Sequence, residues 1–203
     1  FYGDSTHNTA NLFYGSVWVE FDNVHIIDNM YPSGAWIKCS DGSFNALFAS
    51  GNGGWGAFPN IKIQVGSDNK FMGCYFGGGG CVDQVLVEGS QFNQFIGCTN
   101  DNTYGACYKF RDYVDPITSA RTAANHNMVV GGSATNANQS STGASHIAFE
   151  ELASYNIIMG TKILNTTGIE AKYGVSEKAG GTGVNNIVTG CYFDPTASFT
   201  DAQ

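Results

Sequence analysis

Apolar residues in this chain occur in short groups bounded by asparagine and glycine, rather than in long helical stripes. The core of the pattern is Asn, any residue, two mostly apolar residues and Gly. It occurs as NKFMG, NQFIG, NMVVG, NIIMG and NIVTG, beginning at Asn69, Asn93, Asn127, Asn156 and Asn186. Consecutive copies are 24, 34, 29 and 30 residues apart. A constant pentapeptide at unequal spacing predicts a repeated coil, with insertions that leave from other points of the coil.

Known repeat architectures differ in what they require of a sequence. Helical repeats need a period of about 3.6 residues, WD-type propeller blades need their Gly-His and Trp-Asp signature, and leucine-rich repeats need regular Leu. None of these patterns is present. We therefore predict an all-β chain folded as a right-handed parallel β-helix of about 6–8 coils, stacked about 4.8 Å apart. The segment NVHIIDN is interpreted as an earlier, degenerate copy in which Asp28 replaces the glycine.

Each position of the pentapeptide has an expected place in such a coil. The Asn is predicted at a tight turn, where it tolerates the left-handed conformation and hydrogen-bonds the Asn of the next coil. The Gly is predicted at the following corner, where φ can be positive. The next residue is small and is predicted to point inward, with its cysteines as free thiols rather than a disulfide. These small residues are Cys74, Cys98, Gly132, Thr161 and Cys191.

Other segments are interpreted from their own patterns. The alternation in VWVEF predicts one strand with two distinct faces. These faces would hold Val17, Val19 and Phe21 on one side and Trp18, Glu20 and Asp22 on the other. Segment 113–125 is expected to hold one short helix, and the polar segment 133–145 to be a loop. No linker composition divides residues 1–203, which we interpret as a single domain, and the abrupt start FYGDS suggests part of a longer protein.

Composition supports the all-β fold and argues against several classes of function. The chain has 27 Gly, 14 Phe and 10 Tyr, and only 13% of its residues are charged, whereas long helices favour Ala, Leu, Glu, Lys and Arg. A net charge of −8 without a basic patch argues against nucleic-acid binding. No apolar run approaches the roughly 20 residues of a bilayer span, so membrane insertion is not expected. The cysteines lack CxxC spacing and the four His are scattered, so we expect no metal site and no cofactor.

The coil pattern, with its endings GCYF and GTKI, resembles the right-handed parallel β-helix of bacteriophage tailspikes, within the broad pectate-lyase-like family. The resemblance covers roughly residues 13–193 and concerns architecture, because the motifs specify a coil and not an enzyme. It implies homotrimers on a virion that recognise bacterial surface polysaccharide, either capsule or O-antigen, often with cleavage. It also implies other virion tail proteins as partners and a location in the phage tail, outside the host cell when acting.

Glu20 and Asp22 are candidate catalytic residues, because tailspike glycosidases are expected to use paired carboxylates. Two residues apart on a strand, both would point outward at roughly 6–7 Å, near the separation of an inverting pair. Trp18 is a candidate substrate-binding residue, because an aromatic ring can stack on a sugar. A solvated strand face with an incidental Trp would explain the same pattern.

The other candidate substrate-binding residues are Trp36, Trp55, Lys109 and Arg111. The two Trp residues either offer sugar platforms or pack against a neighbouring subunit. The two cations, in YKFRDYVDP, either hold an acidic glycan or pair with the aspartates of the same segment.

The resemblance, together with these candidate residues, implies a tailspike or tail-fibre module that binds bacterial surface polysaccharide. The complete protein is expected to be a depolymerase, either a glycoside hydrolase or a lyase, while the sequence leaves open whether this chain is itself an enzyme. The alternative is a structural segment of a fibre or baseplate with no glycan activity.

Overall fold

The computed structural model describes residues 11–27, 35–52, 58–78, 80–138, 144–166, 171, 173–177 and 183–194. Within these ranges all regular secondary structure is β-strand. The strands are β1 (Asn11–Val17), β2 (Glu20–Asp22), β3 (His25–Ile27), β4 (Ala35–Ser40), β5 (Ser43–Asn45), β6 (Phe48–Ser50), β7 (Ile61–Gln64), β8 (Lys70–Met72), β9 (Tyr75–Gly77), β10 (Val85–Glu88), β11 (Gln94–Ile96), β12 (Thr99–Asp101), β13 (Tyr108–Arg111), β14 (Tyr113–Val114), β15 (Arg121–Thr122), β16 (Met128–Val130), β17 (Ser133–Thr135), β18 (Ser145–Phe149), β19 (Ile157–Met159), β20 (Lys162–Leu164), β21 (Tyr173–Glu177), β22 (Ile187–Thr189) and β23 (Tyr192–Phe193).

Three sheets of seven strands each form the walls of a solenoid. Sheet 1 contains β1, β4, β7, β10, β13, β18 and β21, sheet 2 contains β2, β5, β8, β11, β16, β19 and β22, and sheet 3 contains β3, β6, β9, β12, β17, β20 and β23. The chain visits the three sheets in turn, and each strand pairs in parallel with the strand of the coil before it. The predicted all-β parallel β-helix is therefore confirmed.

A stack of phenylalanines fills the middle of sheet 2. Phe21, Phe44, Phe71 and Phe95 are the central residues of successive strands, with ring centroids 5.2, 4.6 and 4.9 Å apart and nearly parallel planes. Three of these rings are at most 1% exposed. Burial of one such side chain contributes roughly 1.5–3 kcal/mol, and the stack also fixes which residues face each other in adjacent coils.

A ladder of buried asparagine side chains runs parallel to the phenylalanine stack. Nδ2 of Asn69 donates to Oδ1 of Asn93 at 2.9 Å, and the bond repeats to Asn127 (2.8 Å), Asn156 (3.0 Å) and Asn186 (3.0 Å). Each oxygen also accepts the backbone N–H of the preceding ladder Asn. This confirms the predicted stacking of the asparagines. Only a side chain with both a donor and an acceptor can continue such a ladder without leaving a buried polar atom unpaired.

The left-handed corners are shifted by one residue from the prediction. The residue before the ladder position has φ between 57° and 67°, and the residue at the following glycine corner has φ between 49° and 66°. The ladder asparagines themselves do not have a positive φ. The corner before sheet 2 contains Trp18, Asp41, Asp68, Phe92, His126, Tyr155 and Asn185, and the corner after it contains Asn23, Ala46, Gly73, Gly97, Gly131, Gly160 and Gly190. The predicted glycine corner is confirmed. The asparagine does not form the turn itself, and its buried side chain hydrogen-bonds the neighbouring coils.

Two sequence interpretations near the start of the chain are wrong. Phe21 pairs with Phe44, so Val19 occupies the ladder position and Asn23 the glycine position of the first coil. The proposed copy that begins at Asn23 is therefore out of register, and Asp28 itself lies outside the described residues. The segment VWVEF is not one strand, because the chain turns a corner at Trp18 between β1 and β2.

Two further interpretations change in the middle of the chain. The short helix expected in 113–125 is wrong, since that segment contains an antiparallel hairpin of β14 and β15. The loop expected over 133–145 is only partly correct, because Ser133–Thr135 forms β17 and Ser145 begins β18. Both strands pair in register with neighbouring coils, and this tertiary pairing overrides the loop-like composition.

The small residues after the glycine corner point inward as predicted. Cys74 and Cys98 are each 2% exposed and Thr161 is fully buried. All six cysteines are free thiols. In the part of the chain that the structure describes, no helix is long and apolar enough to cross a membrane.

The glycine corner gives a prediction that separates backbone strain from steric clash. At Gly97, φ is +62° and an added Cβ would meet no heavy atom within 4 Å. We expect Gly97→Ala to lower the free energy of unfolding by about 1 kcal/mol, the cost of a left-handed residue with a side chain. Urea denaturation followed by circular dichroism measures this loss.

Gly132→Ala is the matched comparison. Its φ of +67° is similar, but an added Cβ would overlap the carbonyl oxygen of Cys98. We expect a loss on the order of 3 kcal/mol, because rigid backbone has to move as well. Equal losses in the two variants would contradict this account of the corner.

Candidate functional site

The outer face of sheet 1 arranges charged side chains from different coils in rows. In β7, Ile61 and Ile63 are fully buried and point into the core, so Lys62 points outward between them. Parallel pairing places the outward residues of successive strands side by side, about 4.8 Å apart. One row contains Lys62, Leu86 and Lys109, and the neighbouring row contains Gln64, Glu88 and Arg111.

The hairpin of β14 and β15 forms a wall beside these rows. It leaves sheet 1 directly after β13. At its tip, the carboxylate of Asp115 accepts hydrogen bonds from the backbone N–H groups of Ile117 (2.9 Å) and Thr118 (2.8 Å) and so closes the turn. At its base, Nε of Arg121 donates to Oδ2 of Asp112 at 2.5 Å. This ion pair joins the two ends of the hairpin, since Asp112 lies between β13 and β14 and Arg121 begins β15.

A groove of about 680 Å³ lies between the rows and the hairpin, and we call it the sheet-1 groove. It is lined by Lys38, Lys62, Gln64, Glu88, Arg111, Asp112, Tyr113, Val114, Pro116, Arg121, Glu150 and Glu151. Four of the nine Lys and Arg residues of the chain are among these, beside four carboxylates. The lining thus has no net formal charge in a chain whose net charge is −8, so cations are more concentrated here than in the chain as a whole.

Glu88 is the residue on which the cations of the groove converge. Its carboxylate accepts hydrogen bonds from Nε2 of Gln64 at 2.5 Å and Nε of Arg111 at 2.9 Å, and it lies 3.0 Å from Nζ of Lys62. Burial acts to raise the pKa of Glu88, but Lys62, Arg111 and Gln64 together outweigh it and hold the pKa below its ordinary value. Glu88 is therefore an ionised anchor for the cations and is poorly suited to donate a proton.

Lys109 and Arg111, the two cations predicted to bind substrate, both lie in this region. Nζ of Lys109 lies 3.1 Å from Asp83 and 3.8 Å from Glu150, just outside the groove lining, and Arg111 binds Glu88. The pairing expected with the aspartates of their own segment is wrong. The acids come from neighbouring coils, because residues close in sequence on a strand are farther apart than residues stacked in register. Their role in substrate binding stays a prediction.

Two arginines keep hydrogen-bonding capacity toward solvent. The side chain of Arg111 is 40% exposed and that of Arg121 is 47% exposed. A guanidinium carries five N–H donors, more than Glu88 or Asp112 accepts from either residue. Both guanidinium groups can therefore bind a carboxylate or sulfate of a ligand while they keep their hydrogen bonds to Glu88 and Asp112.

Trp18 lines a second concavity. This groove of about 400 Å³, which we call the Trp18 groove, is also lined by Asp41, Gly42, Ser43, Asp68 and Lys70. Trp18 is 81% exposed and lies at a left-handed corner, so it does not share a strand face with Glu20 and Asp22 as predicted. An exposed indole beside polar groups is nevertheless suited to stacking on a sugar, so its substrate-binding role stays a prediction.

Glu20 and Asp22 are both exposed, on either side of the half-buried Phe21 in β2. The expected outward direction of both carboxylates is thus confirmed, and their catalytic role stays a prediction. Neither residue lines the Trp18 groove or the sheet-1 groove.

Trp36 lies in β4 and pairs with Lys62 of the adjacent strand, and Trp55 lies outside the described residues.

Sequence reasoning missed the convergence of residues in the sheet-1 groove. Gln64, Glu88 and Arg111 follow each other at intervals of 24 and 23 residues, close to the shortest interval between asparagine copies, which is 24. Aligning the strands that precede each pentapeptide would have brought them into one row. Arg121 and Tyr113 had no such signal, because they belong to an insertion outside the repeat.

His146 and Cys81 are two buried groups with reactive side chains. Burial lowers the pKa of His146 to about 4, and its Nε2 lies 2.9 Å from the carbonyl oxygen of Leu164. Burial also raises the pKa of the Cys81 thiol to about 12. These groups belong to the core and do not face either groove. Among the described residues, no three His, Cys, Asp or Glu side chains converge in a way that could hold a metal ion.

The fold defines the protein as a parallel β-solenoid with a charged groove on one face. Among solved structures, the alginate lyase from Paenibacillus sp. str. FPU-7 is similar to it, with a TM-score of 0.63 and 14% sequence identity. The similarity covers 86% of this chain and 58% of the lyase, so the chain spans little more than half of that protein. At this identity the likeness shows a shared fold. No protein-family model matches the chain, and no curated protein matches it.

The contacts of Glu88 with Lys62, Arg111 and Gln64 lead to a prediction of how protein stability depends on pH. We expect Glu88→Gln to lower the free energy of unfolding at pH 7 by about 2 kcal/mol, because Lys62 and Arg111 lose a shared ionised acceptor. The native pKa of Glu88 is depressed, so this contribution is present above the ordinary carboxyl pKa and disappears as the pH falls through the native value. Urea unfolding between pH 7 and pH 3 should show wild type and variant converging in acid.

Glu20→Gln is the control, since Glu20 is an exposed carboxylate in the same protein. We expect it to change the free energy of unfolding by less than about 0.5 kcal/mol at every pH. A Glu88→Gln loss that persists undiminished at low pH would contradict the ionised state of Glu88.

Proposed function

We propose that this chain recognises an anionic bacterial surface polysaccharide in the sheet-1 groove, as a module of a phage tailspike or tail fibre. The observation that carries the proposal is the concentration of cations. Lys38, Lys62, Arg111 and Arg121 line one groove of about 680 Å³ in a chain that has only nine Lys and Arg and a net charge of −8. The chain as a whole carries an excess of carboxylates that repels an anionic polymer, whereas the described lining of the groove is neutral and repels it less.

The shape of the groove suits a linear polymer better than a compact ligand. Its outward rows follow the solenoid axis, with one position per strand about every 4.8 Å. This interval is close to the rise of one pyranose in an extended chain. Lys62 and Arg111 lie two strands apart in adjacent rows, so a polysaccharide along the axis could present acidic groups to both in turn. Tyr113 on the hairpin offers a ring and a hydroxyl to the same polymer.

The wider setting of the proposal follows from the resemblance to tailspikes. We propose that the complete protein is a homotrimer in the phage tail, attached to other virion tail proteins and acting outside the host cell. The likeness in fold to an alginate lyase, a protein whose name records action on an anionic polysaccharide, supports a role toward polysaccharides in general.

Depolymerase activity is a second candidate, with two possible locations. Exposed Glu20 and Asp22 would serve hydrolysis, with one as acid and the other as base. In the sheet-1 groove, Arg111 or Arg121 would neutralise a uronate carboxylate, and Glu150 or Glu151 would remove the proton from the carbon beside it. A C=C bond would then form as the bond from the next carbon to the glycosidic oxygen breaks, and the leaving oxygen would take a proton from water. The remaining candidate is a structural fibre segment, which is favoured by the fact that Lys62, Arg111 and Arg121 all pair with protein carboxylates.

Binding assays with defined polymers test the main proposal. We expect retardation in affinity electrophoresis by a polyuronate such as alginate or by an acidic capsule, and none by neutral dextran, with binding that weakens as salt rises. Arg111→Gln and Arg121→Gln should each weaken binding about tenfold, because each removes a charge-assisted contact. Lys162→Gln, on the exposed outer side of sheet 3, is the matched control and should leave binding unchanged.

The outcomes distinguish the candidate functions. Equal binding of acidic and neutral polymers, or binding unaffected by either arginine variant, would overturn the groove assignment. New reducing ends without ultraviolet absorbance indicate hydrolysis, and absorbance from an unsaturated product indicates elimination. Hydrolysis that Glu20→Gln leaves intact would remove Glu20 and Asp22 as catalytic residues. Neither binding nor cleavage of any acidic host polysaccharide would favour the structural segment.

A further inference from the structure

The corner between sheet 1 and sheet 2 carries an indole and two carboxylates in successive coils. Trp18, Asp41 and Asp68 occupy this corner, each with a left-handed backbone. The backbone N–H of Trp18 donates to the carbonyl oxygen of Ser40, the residue before Asp41, at 3.2 Å. The N–H of Asp41 donates in the same way to Ser67, the residue before Asp68, at 3.1 Å. The three corner residues therefore form one row with steps of about 4.8 Å.

A second row runs parallel to this corner on the outer side of sheet 2. It contains Glu20, Ser43 and Lys70, which pair in register across β2, β5 and β8. Each of the last two lies two residues after the corner aspartate of its own coil. Residues of both rows line the Trp18 groove, so carboxylates face it from the corner while a hydroxyl and an ammonium face it from the sheet.

The charged groups of the Trp18 groove differ from those of the sheet-1 groove in their contacts with protein. Among the described residues, Asp41, Asp68 and Lys70 take part in no side-chain hydrogen bond or ion pair. In the sheet-1 groove, by contrast, Lys62 and Arg111 are both held by a carboxylate. Two carboxylates one coil apart repel each other, and a ligand cation between them replaces this repulsion by attraction. The Trp18 groove therefore has its hydrogen-bonding capacity available for a ligand.

Each group in the Trp18 groove matches a different part of a ligand. The indole of Trp18, 81% exposed, can pack on the apolar face of a sugar ring and can also contact a cation through its π-system. The two carboxylates favour an ammonium group, to which they make charge-assisted hydrogen bonds. Nζ of Lys70 and the hydroxyl of Ser43 donate to uncharged oxygens. A pyranose with a free ammonium combines these features, whereas a simple amine lacks the ring and a neutral sugar lacks the charge.

We propose that the Trp18 groove binds an amino sugar with a free ammonium group, with the sugar ring on Trp18 and the ammonium between Asp41 and Asp68. This is a second binding site, and its charge preference is opposite to that of the sheet-1 groove. Among the described residues, none lines both grooves, so the two sites can be altered independently.

Ligand-observed NMR titration of the full chain at pH 6, where the sugar amine is protonated, tests the inference. Glucosamine, glucose and N-acetylglucosamine share one ring and carry an ammonium, a hydroxyl or an acetamide at the same carbon. We expect glucosamine to bind at least about tenfold more tightly than either neutral sugar, with a preference that shrinks as salt rises. Ethylamine, which has the charge without the ring, should also bind at least about tenfold more weakly than glucosamine.

Asparagine substitutions remove the charges or the indole while keeping the corner. Asn185 occupies the same left-handed corner in the last described coil, so an Asn side chain is compatible with this backbone. Asp41→Asn and Asp68→Asn should each weaken glucosamine binding about tenfold, because each removes a charge-assisted contact. Trp18→Asn should reduce glucosamine binding to the level of ethylamine.

Asp115→Asn is the matched control, because it removes the same charge at the tip of the hairpin, outside the Trp18 groove. The amide oxygen of Asn can still accept the two backbone hydrogen bonds that close this turn, and glucosamine binding should be unchanged. Equal losses in Asp115→Asn and Asp41→Asn would overturn the site, since net charge alone would then explain the binding.

The comparison of ligands uses wild type alone, so it decides the inference even where a variant fails to fold. Glucosamine that binds no more tightly than glucose, glucosamine that binds no more tightly than ethylamine, or no binding of glucosamine would each overturn it.

This site and the sheet-1 groove are tested separately. A chain that ignores glucosamine but binds an acidic polysaccharide through Arg111 refutes the amino-sugar site and leaves the groove assignment in place. A chain that binds glucosamine but no acidic polysaccharide has the opposite meaning.

Discussion

Stacking of equivalent residues in parallel register is the constraint on which the rest of the molecule depends. The asparagine ladder from Asn69 to Asn186 uses amide hydrogen bonds of 2.8–3.0 Å in each step, and it is buried over most of its length. A shift by one residue would unpair these amides and break the phenylalanine stack at the same time. Register is therefore fixed from inside the solenoid, whatever the outward side chains are.

This internal fixation leaves the outward positions free to differ between faces. Sheet 1 combines cations and carboxylates around Glu88, while sheet 2 has Met72, Ile96, Val130 and Met159 in one outward row and the polar Lys70 and Gln94 in the other. Because equivalent positions stack about every 4.8 Å, a residue type chosen at one position in several coils becomes a continuous stripe. A residue type that recurs at one position of the coil therefore produces a long continuous surface along the solenoid.

Insertions complete the site that the repeat begins. The regular coils supply Lys62, Glu88 and Arg111, but the wall and its Arg121 belong to the hairpin that follows β13. The interval between the second and third asparagine copies, 34 residues against 24 for the first pair, is where this extra segment enters. The irregular spacing of the repeat therefore marks the place where the sheet becomes a groove.

The sequence by itself determined the solenoid, the asparagine ladder, the glycine corner and the inward small residues, because each depends on a pattern repeated at the same place in every coil. It also identified Lys109 and Arg111 as notable cations, but the pairing that it offered as one alternative, with the aspartates of their own segment, is not the one that forms. Only the tertiary structure decided that Glu88 joins Lys62 to Arg111 and that Trp18 turns a corner away from Glu20. The physical reason is that contacts between coils join residues more than 20 positions apart, and such contacts depend on the register and on insertions that no single coil reveals.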